Sequence, residues 1–144
     1  MIEGYSISTD KEKLDLKVIH GYLSRSYWAE NIPMEIVERA MKNSLCFGVY
    51  YLDKQIGYAR VITDSATFGY LADVFILEEH RGKGLSKELM KHIMAHPQLQ
   101  GLRRFCLGTR DAHTLYEQFG FNVIKTPERF MEILHPPGFY SKKD

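Results

Sequence analysis

A strand that runs into two glycines and then into a helix constrains this chain more than any other feature. Val74-Phe75-Ile76-Leu77 is an apolar run of strand length, and Leu85, Leu89 and Ile93 then recur at helical spacing. Between them lies Arg81-Gly82-Lys83-Gly84. Glycine adopts positive φ without steric cost, so two of them one residue apart suit a tight strand-to-helix turn. The helix should stop before Pro97, because the residue ahead of a proline is pushed out of the helical region.

The rest of the pattern predicts an α+β fold built as a single domain over residues 1–144. Residues 4–8 alternate as a first strand. Thr9 and Glu12 have the spacing of a capping box, ahead of Leu14, Val18, Ile19, Tyr22 and Leu23 at helical spacing. Pro33 suits the first turn of a second helix with Ile36, Val37, Ala40 and Met41 on its apolar face. Three strands follow at 45–52, 55–63 and 67–77, separated by polar turns. After the glycine turn and its helix, residues 103–108 form a short strand. Thr109 is placed to cap a helix over 110–119, ended by Gly120. Residues 121–124 and 129–134 read as two closing strands. The expected order is β-αα-βββ-α-β-α-ββ.

A net charge of +1 gives no broad basic surface for nucleic acid or membrane, so any anion site must be local. Cys46 and Cys106 sit far apart in apolar runs and read as buried free thiols, which suits a reducing compartment. No apolar run of about 18 residues appears, and no charged-then-apolar segment opens the chain. A cytoplasmic location is the expectation.

The glycine turn has the makings of a phosphate cradle. The first N–H groups of a helix have no intrahelical partner, and that end carries about half a positive charge. Arg81 and Lys83 add whole charges, Gly82 and Gly84 let an anion approach the backbone, and Ser86 adds a hydroxyl. A turn made only for packing is the plainer alternative. The Walker A and dinucleotide glycine patterns are both absent. Glu78 and Glu79 would repel a phosphate unless they face solvent.

Arg81-Gly82-Lys83-Gly84-Leu85-Ser86 resembles the Arg/Gln-x-x-Gly-x-Gly/Ala signature of the GNAT superfamily of acetyl-CoA-dependent N-acetyltransferases. Ala112-x-x-Leu115-Tyr116-Glu117-x-x-Gly120-Phe121 is similar to that family's second motif, and the element order agrees along nearly the whole chain. The resemblance implies a mixed, mostly antiparallel sheet flanked by helices. It also implies that backbone amides of Arg81, Gly82, Lys83, Gly84, Leu85 and Ser86 hold the pyrophosphate of acetyl-CoA. Ser86 replaces the family's usual Gly or Ala, and Thr109 stands where an Asn is common.

Acetyl transfer to an amine needs a neutral amine, donors for the carbonyl oxygen, and a proton or hydrogen bond for the leaving thiolate. The resemblance assigns the second need to the backbone of Val74, Phe75 and Ile76, with the Val74 N–H nearest the acetyl group. Exposing that backbone calls for a bulge, or for splaying from the strand at 103–108. Tyr116 matches the family's usual general acid, although a partly buried helix tyrosine is the plainer reading. A phenol of pKa ~10 protonating a thiolate of pKa ~8.5 is uphill by about 2 kcal/mol, which favours hydrogen bonding over full transfer.

The first need has no clear owner. An alkylamine is only about one part in 2,500 neutral at pH 7, so a base or a water relay would help. Asp73 is expected opposite Arg60 and reads as its ion-pair partner. Tyr70 lies where some relatives carry a catalytic Glu, and His113 is one turn from Tyr116. Tyr27 and Trp28 offer an aromatic wall for a cationic amine, or a packing anchor between two helices. Lys87, Lys91, Arg103 and Arg104 either reach a phosphate or form a solvated face.

The implied activity is acetyl transfer from acetyl-CoA to a primary amine, with a small molecule as acceptor. It proceeds directly within a ternary complex and needs no metal and no covalent cysteine. A non-catalytic acyl-CoA sensor and an enzyme acting on protein N-termini or lysines are the alternatives. The closing strands and the 135–140 tail also offer a surface for a homodimer.

Overall fold

The computed structural model describes residues 1–136 and 138–141. Five strands form one sheet in the order β1-β2-β3-β4-β5: Tyr5–Ser8, Leu45–Tyr51, Lys54–Thr63, Phe68–Ile76 and Arg104–Leu107. β1 to β4 are antiparallel neighbours, and β5 runs parallel to β4. Parallel pairing needs a crossover, and helix α3 (Leu85–Ala95) provides it.

Helices α1 (Leu16–Leu23) and α2 (Met34–Lys42) cover one face. There Ile19, Leu23 and Val37 pack with Cys46, Tyr58 and Phe75. α3 covers the other face, where Leu85, Leu89, Met90 and Ile93 meet Phe47, Val49, Ala59, Val61 and Leu71. The short α4 (His113–Glu117) adds Tyr116 to that second core. The expected three-layer α+β architecture is present.

Several boundaries differ from expectation. Thr9 does not cap the first helix. Asp10 caps a 3-10 turn at Lys11–Lys13, accepting from the Glu12 N–H at 2.9 Å, and Asp15 caps α1 through the Lys17 and Val18 N–H groups. Two aspartates in extended backbone, each with a short acceptor, thus take the caps that the box was expected to fill. α4 begins at His113 rather than at 110, because Thr109 accepts from the Ala112 N–H and holds 109–112 as a turn. Cys106 is only half-buried, since β5 is an edge strand; Cys46 is buried as expected.

The largest departure is at the C-terminal end. Residues 121–124 and 129–134 are not strands; a 3-10 turn at Pro127–Arg129 stands between irregular segments. Their apolar residues suit a strand, but a strand also needs a neighbour to bond. Among the described residues neither segment finds one, and Met131 and Ile133 are 98% and 95% exposed.

Candidate functional site

The strand-to-helix turn takes left-handed backbone at both glycines, φ 80° at Gly82 and 78° at Gly84. A Cβ at either position would meet nothing within 4 Å, so these glycines are required by conformation, not by crowding. Gly84 caps α3 with no side-chain hydrogen bond, and the first intrahelical bond is Glu88 N–H to Gly84 carbonyl at 3.1 Å. The N–H groups of Leu85, Ser86 and Lys87 therefore have no helical acceptor. They border a cavity of about 280 Å³ lined by Ile76, His80, Arg81, Gly82, Gly84, Leu85, Ser86, Lys87 and Leu115. Open glycine backbone, free donors and the helix dipole fit a pyrophosphate.

The charges divide differently from the sequence expectation. Glu78 and Glu79 are exposed and border a separate cavity with Tyr22, Arg25 and Ser26, so they do not face the cradle. Arg81 is not a free cation. Its Nε donates to the Ile76 carbonyl at 2.8 Å and its guanidinium to the Tyr22 hydroxyl at 3.0 Å. It fastens the turn to β4 and α1, whereas Lys83 and Lys87 are exposed beside the turn. His80, which no motif singled out, lines the cavity and shares a 2.7 Å hydrogen bond with the Tyr5 hydroxyl.

β4 carries the second part of the site. Its register with β3 slips by one residue: Arg60 lies opposite Ala72, but Tyr58 lies opposite Phe75. Asp73 and Val74 therefore face Ala59 alone, and Asp73 sits at φ 55°. This is a bulge of the sort that exposing the β4 backbone was expected to require. On its other side β4 pairs with β5 only as far as Leu71 and Leu107. Val74, Phe75 and Ile76 thus have no β5 partner, and the gap opens toward the glycine turn. The Phe75 and Ile76 side chains are buried and Val74 is half-buried, so backbone is what this span offers.

Asp73 holds the bulge from above. One carboxylate oxygen accepts from Arg60 Nε at 2.6 Å and the other from Trp28 Nε1 at 2.8 Å. Arg60 also reaches the Ser44 hydroxyl at 3.1 Å. The expected ion pair forms, although Arg60 lies in register with Ala72. With both oxygens engaged, Asp73 is a structural clamp rather than a base.

Tyr116 is 8% exposed and shares a cluster with Ile76, against which Val74 packs. Burial, reinforced by the nearby Tyr27 phenol, raises the Tyr116 pKa above the usual phenol value, so its hydroxyl keeps its proton at neutral pH. His113, one turn away, is exposed to solvent. Tyr27 lies beneath the Arg110 guanidinium, 3.9 Å from its ring centroid, and meets Trp28 edge-on at 5.0 Å. The Tyr70 hydroxyl lies 3.4 Å from where a Gly108 Cβ would stand. Tyr27, Trp28 and Asp73 are therefore joined where the α1–α2 loop meets β4 and Arg110, while Tyr70 stands beside Gly108 at the start of the β5–α4 loop. Arg110 was missed because only tertiary contact reveals its role.

Among the described residues, no group of three or more His, Cys, Asp or Glu could hold a metal ion, and no helix is long and apolar enough to cross a membrane.

The model of the acetyltransferase (GNAT) family matches residues 16–121. The chain is 34% identical to an acetyltransferase candidate of Gibberella zeae over 135 residues, 78% of this chain and 75% of the relative. A crystal structure of a GNAT-family acetyltransferase candidate from Xanthomonas campestris pv. campestris is 50% identical. It superposes with a TM-score of 0.94, covering 99% of this chain and 100% of its own. A Clostridium acetobutylicum structure described as an acetyltransferase with acetyl-CoA shares the fold at a TM-score of 0.63 and 14% identity, covering 90% and 94% of the two chains. Turn, bulge, gap and tyrosine thus occur in a chain that belongs to the GNAT family of acetyltransferases.

Proposed function

We propose that this chain is an N-acetyltransferase that moves the acetyl group of acetyl-CoA to a primary amine of a small molecule, within a ternary complex. The observation that carries the reading is the cavity joining the Gly82–Gly84 turn to Ile76 on β4 and to Leu115, the neighbour of Tyr116. Acetyl-CoA would supply the acyl group as a thioester. The free N–H groups of Leu85, Ser86 and Lys87 would bind its pyrophosphate, with Lys83 adding charge from solvent. Along the edge where β5 has ended, backbone groups of Val74, Phe75 and Ile76 would bond the arm that follows, and the Val74 N–H would donate to the carbonyl oxygen as charge builds there.

In the transfer a C–N bond forms and the C–S bond breaks. The amine nitrogen gives up a proton to water, and the thiolate sulfur is left needing a donor. Tyr116 provides it. Its raised pKa makes complete transfer costlier than for a free phenol, so it acts mainly by hydrogen bonding. Tyr27, Trp28 and Tyr70 would border the acceptor. The contact of Tyr27 with Arg110 draws the α1–α2 and β5–α4 loops together there, which supports a small acceptor over a protein segment. Two unpaired cysteines suit the cytoplasm.

Thiol release from acetyl-CoA across an amine panel tests the reading, with Tyr116→Phe beside it. Tyr116→Phe should lower kcat by about 10- to 100-fold with little change in KM for acetyl-CoA. An unchanged kcat removes that role. Failure to bind acetyl-CoA in a thermal-shift titration removes the whole reading, whereas binding without thiol release would mark a sensor.

A further inference from the structure

By sequence the aromatic pair Tyr27 and Trp28 suits a cationic amine, but in the fold the cation on that wall is the chain's own. The Arg110 guanidinium lies over the Tyr27 ring, 3.9 Å from its centroid, and Trp28 meets Tyr27 edge-on. The carboxylates joined to this wall are engaged. Asp73 gives one oxygen to Arg60 and the other to Trp28, and Asp111 accepts from Arg110. What the wall presents to an incoming molecule is therefore a positive charge.

Arg110 has donors to spare. Its bond to Asp111 is long, at 3.4 Å, and the two side chains are 63% and 70% exposed, so water weakens the pair. Among the described residues its other N–H groups bond no acceptor. A guanidinium carries five donors in one plane, and their fork matches the two oxygens of a carboxylate. Seating over Tyr27 restrains that plane before any ligand arrives, which lowers the ordering cost of binding. The position also suits the reaction. Trp28 ties the wall to Asp73, whose neighbour Val74 is the donor assigned to the acetyl carbonyl. Burial first, and then the nearby Tyr27 phenol, raise the Tyr116 pKa, so Tyr27 borders Tyr116 as well. Arg110 thus stands at the edge of the space where the new C–N bond would form.

Building on the transferase reading, we propose that the acceptor is a free amino acid, its carboxylate held by the Arg110 guanidinium while its amine faces the thioester. Arg110 then serves selection and chemistry together. In a free amino acid the carboxylate charge helps hold the ammonium proton. A guanidinium paired with that carboxylate offsets the charge, so the amine gives its proton to water more readily. The lone pair so freed attacks the acetyl carbon, with Asp73 left in its clamp. A peptide N-terminus or a simple alkylamine brings no carboxylate to Arg110 and binds less well.

Calorimetric titration of the full chain, saturated with free coenzyme A, separates binding from transfer. Each common amino acid is compared with its primary amide, which keeps the amine and loses the negative charge. At least one amino acid should bind about ten- to hundred-fold more tightly than its amide. Arg110→Gln should erase that difference and leave coenzyme affinity unchanged, and Arg110→Lys should keep part of it. Absence of binding by every amino acid overturns the proposal, as does an amide that binds equally. So does a preference that survives Arg110→Gln, or an equal loss of coenzyme affinity in that variant. If Arg110→Gln fails to fold, the wild-type comparison of acid with amide decides alone. Thiol release from acetyl-CoA is then measured with the amino acids that bind. Charge-selective binding without release removes the transferase reading and leaves the carboxylate site, whereas release that ignores the carboxylate does the reverse.

Discussion

Removing the Asp73 carboxylate should cost more stability than its position near the surface suggests. Asp73 and Arg60 keep only 11% and 17% side-chain exposure, and their atoms meet at 2.6 Å. At that distance two unit charges attract by roughly 6 kcal/mol for an effective dielectric of about 20, much of it offset by desolvation. Asp73→Ala leaves the Arg60 guanidinium without its carboxylate and the Trp28 N–H without its acceptor. Stranding a fully buried ion costs about 3–5 kcal/mol, and the remaining exposure reduces this to about 2–3. Alanine at φ 55° adds about 1 kcal/mol, because aspartate tolerates left-handed backbone better. The expected loss is therefore about 3–4 kcal/mol for Asp73→Ala, but about 2 for Asp73→Asn, which keeps the backbone preference and an acceptor for Trp28. Urea unfolding of Asp73→Asn, Arg60→Met and the double variant measures the coupling. The double should fall short of the summed losses by about 1–2 kcal/mol. Strict additivity, or an Asp73→Ala loss below about 0.5 kcal/mol, would refute the clamp.

Gly84→Ala should fold, because its Cβ meets nothing, at a cost of about 1 kcal/mol for the φ of 78°. Calorimetric titration should show acetyl-CoA binding about tenfold weaker; unchanged affinity would place the coenzyme elsewhere. Tyr50→Phe should stabilise the fold by about 1 kcal/mol at neutral pH, since the Tyr50 hydroxyl is buried without a hydrogen-bond partner. Burial also raises its pKa from 10.0 to about 12. The folded chain thus keeps a proton that the unfolded chain releases above pH 10, so stability is whole below that and falls as pH climbs toward 12. Urea midpoints across this range should decline less steeply in Tyr50→Phe.

The local parts of the fold were legible because local chemistry decides them. Glycines at 82 and 84 mark the turn, and the spacing of Leu85, Leu89 and Ile93 marks α3. The need to expose β4 backbone anticipated a bulge, but not that Asp73 would form it with left-handed φ. The sequence does not disclose that Trp28 reaches Asp73 across 45 positions or that Arg81 is fastened to Tyr22, because neither contact has a local pattern. The reading of 129–134 as a strand rested on its apolar residues, and these cannot say whether a bonding edge is within reach.

The one-residue slip at Asp73 also sets the parity of everything after it. Before the slip, Leu71 points into the core beneath α3; after it, Val74 and Ile76 point there while Phe75 turns toward α1 and stacks on Tyr22, centroids 4.1 Å apart. Deleting Asp73 would restore plain alternation and keep those faces, because Leu71 and Val74 would then stand two positions apart. What would go is the bulge itself, together with the contacts that Asp73 makes to Arg60 and Trp28. A single lost codon at this position would therefore close the bulge and remove the clamp while leaving both core faces in register, whereas substitution there disturbs only the clamp.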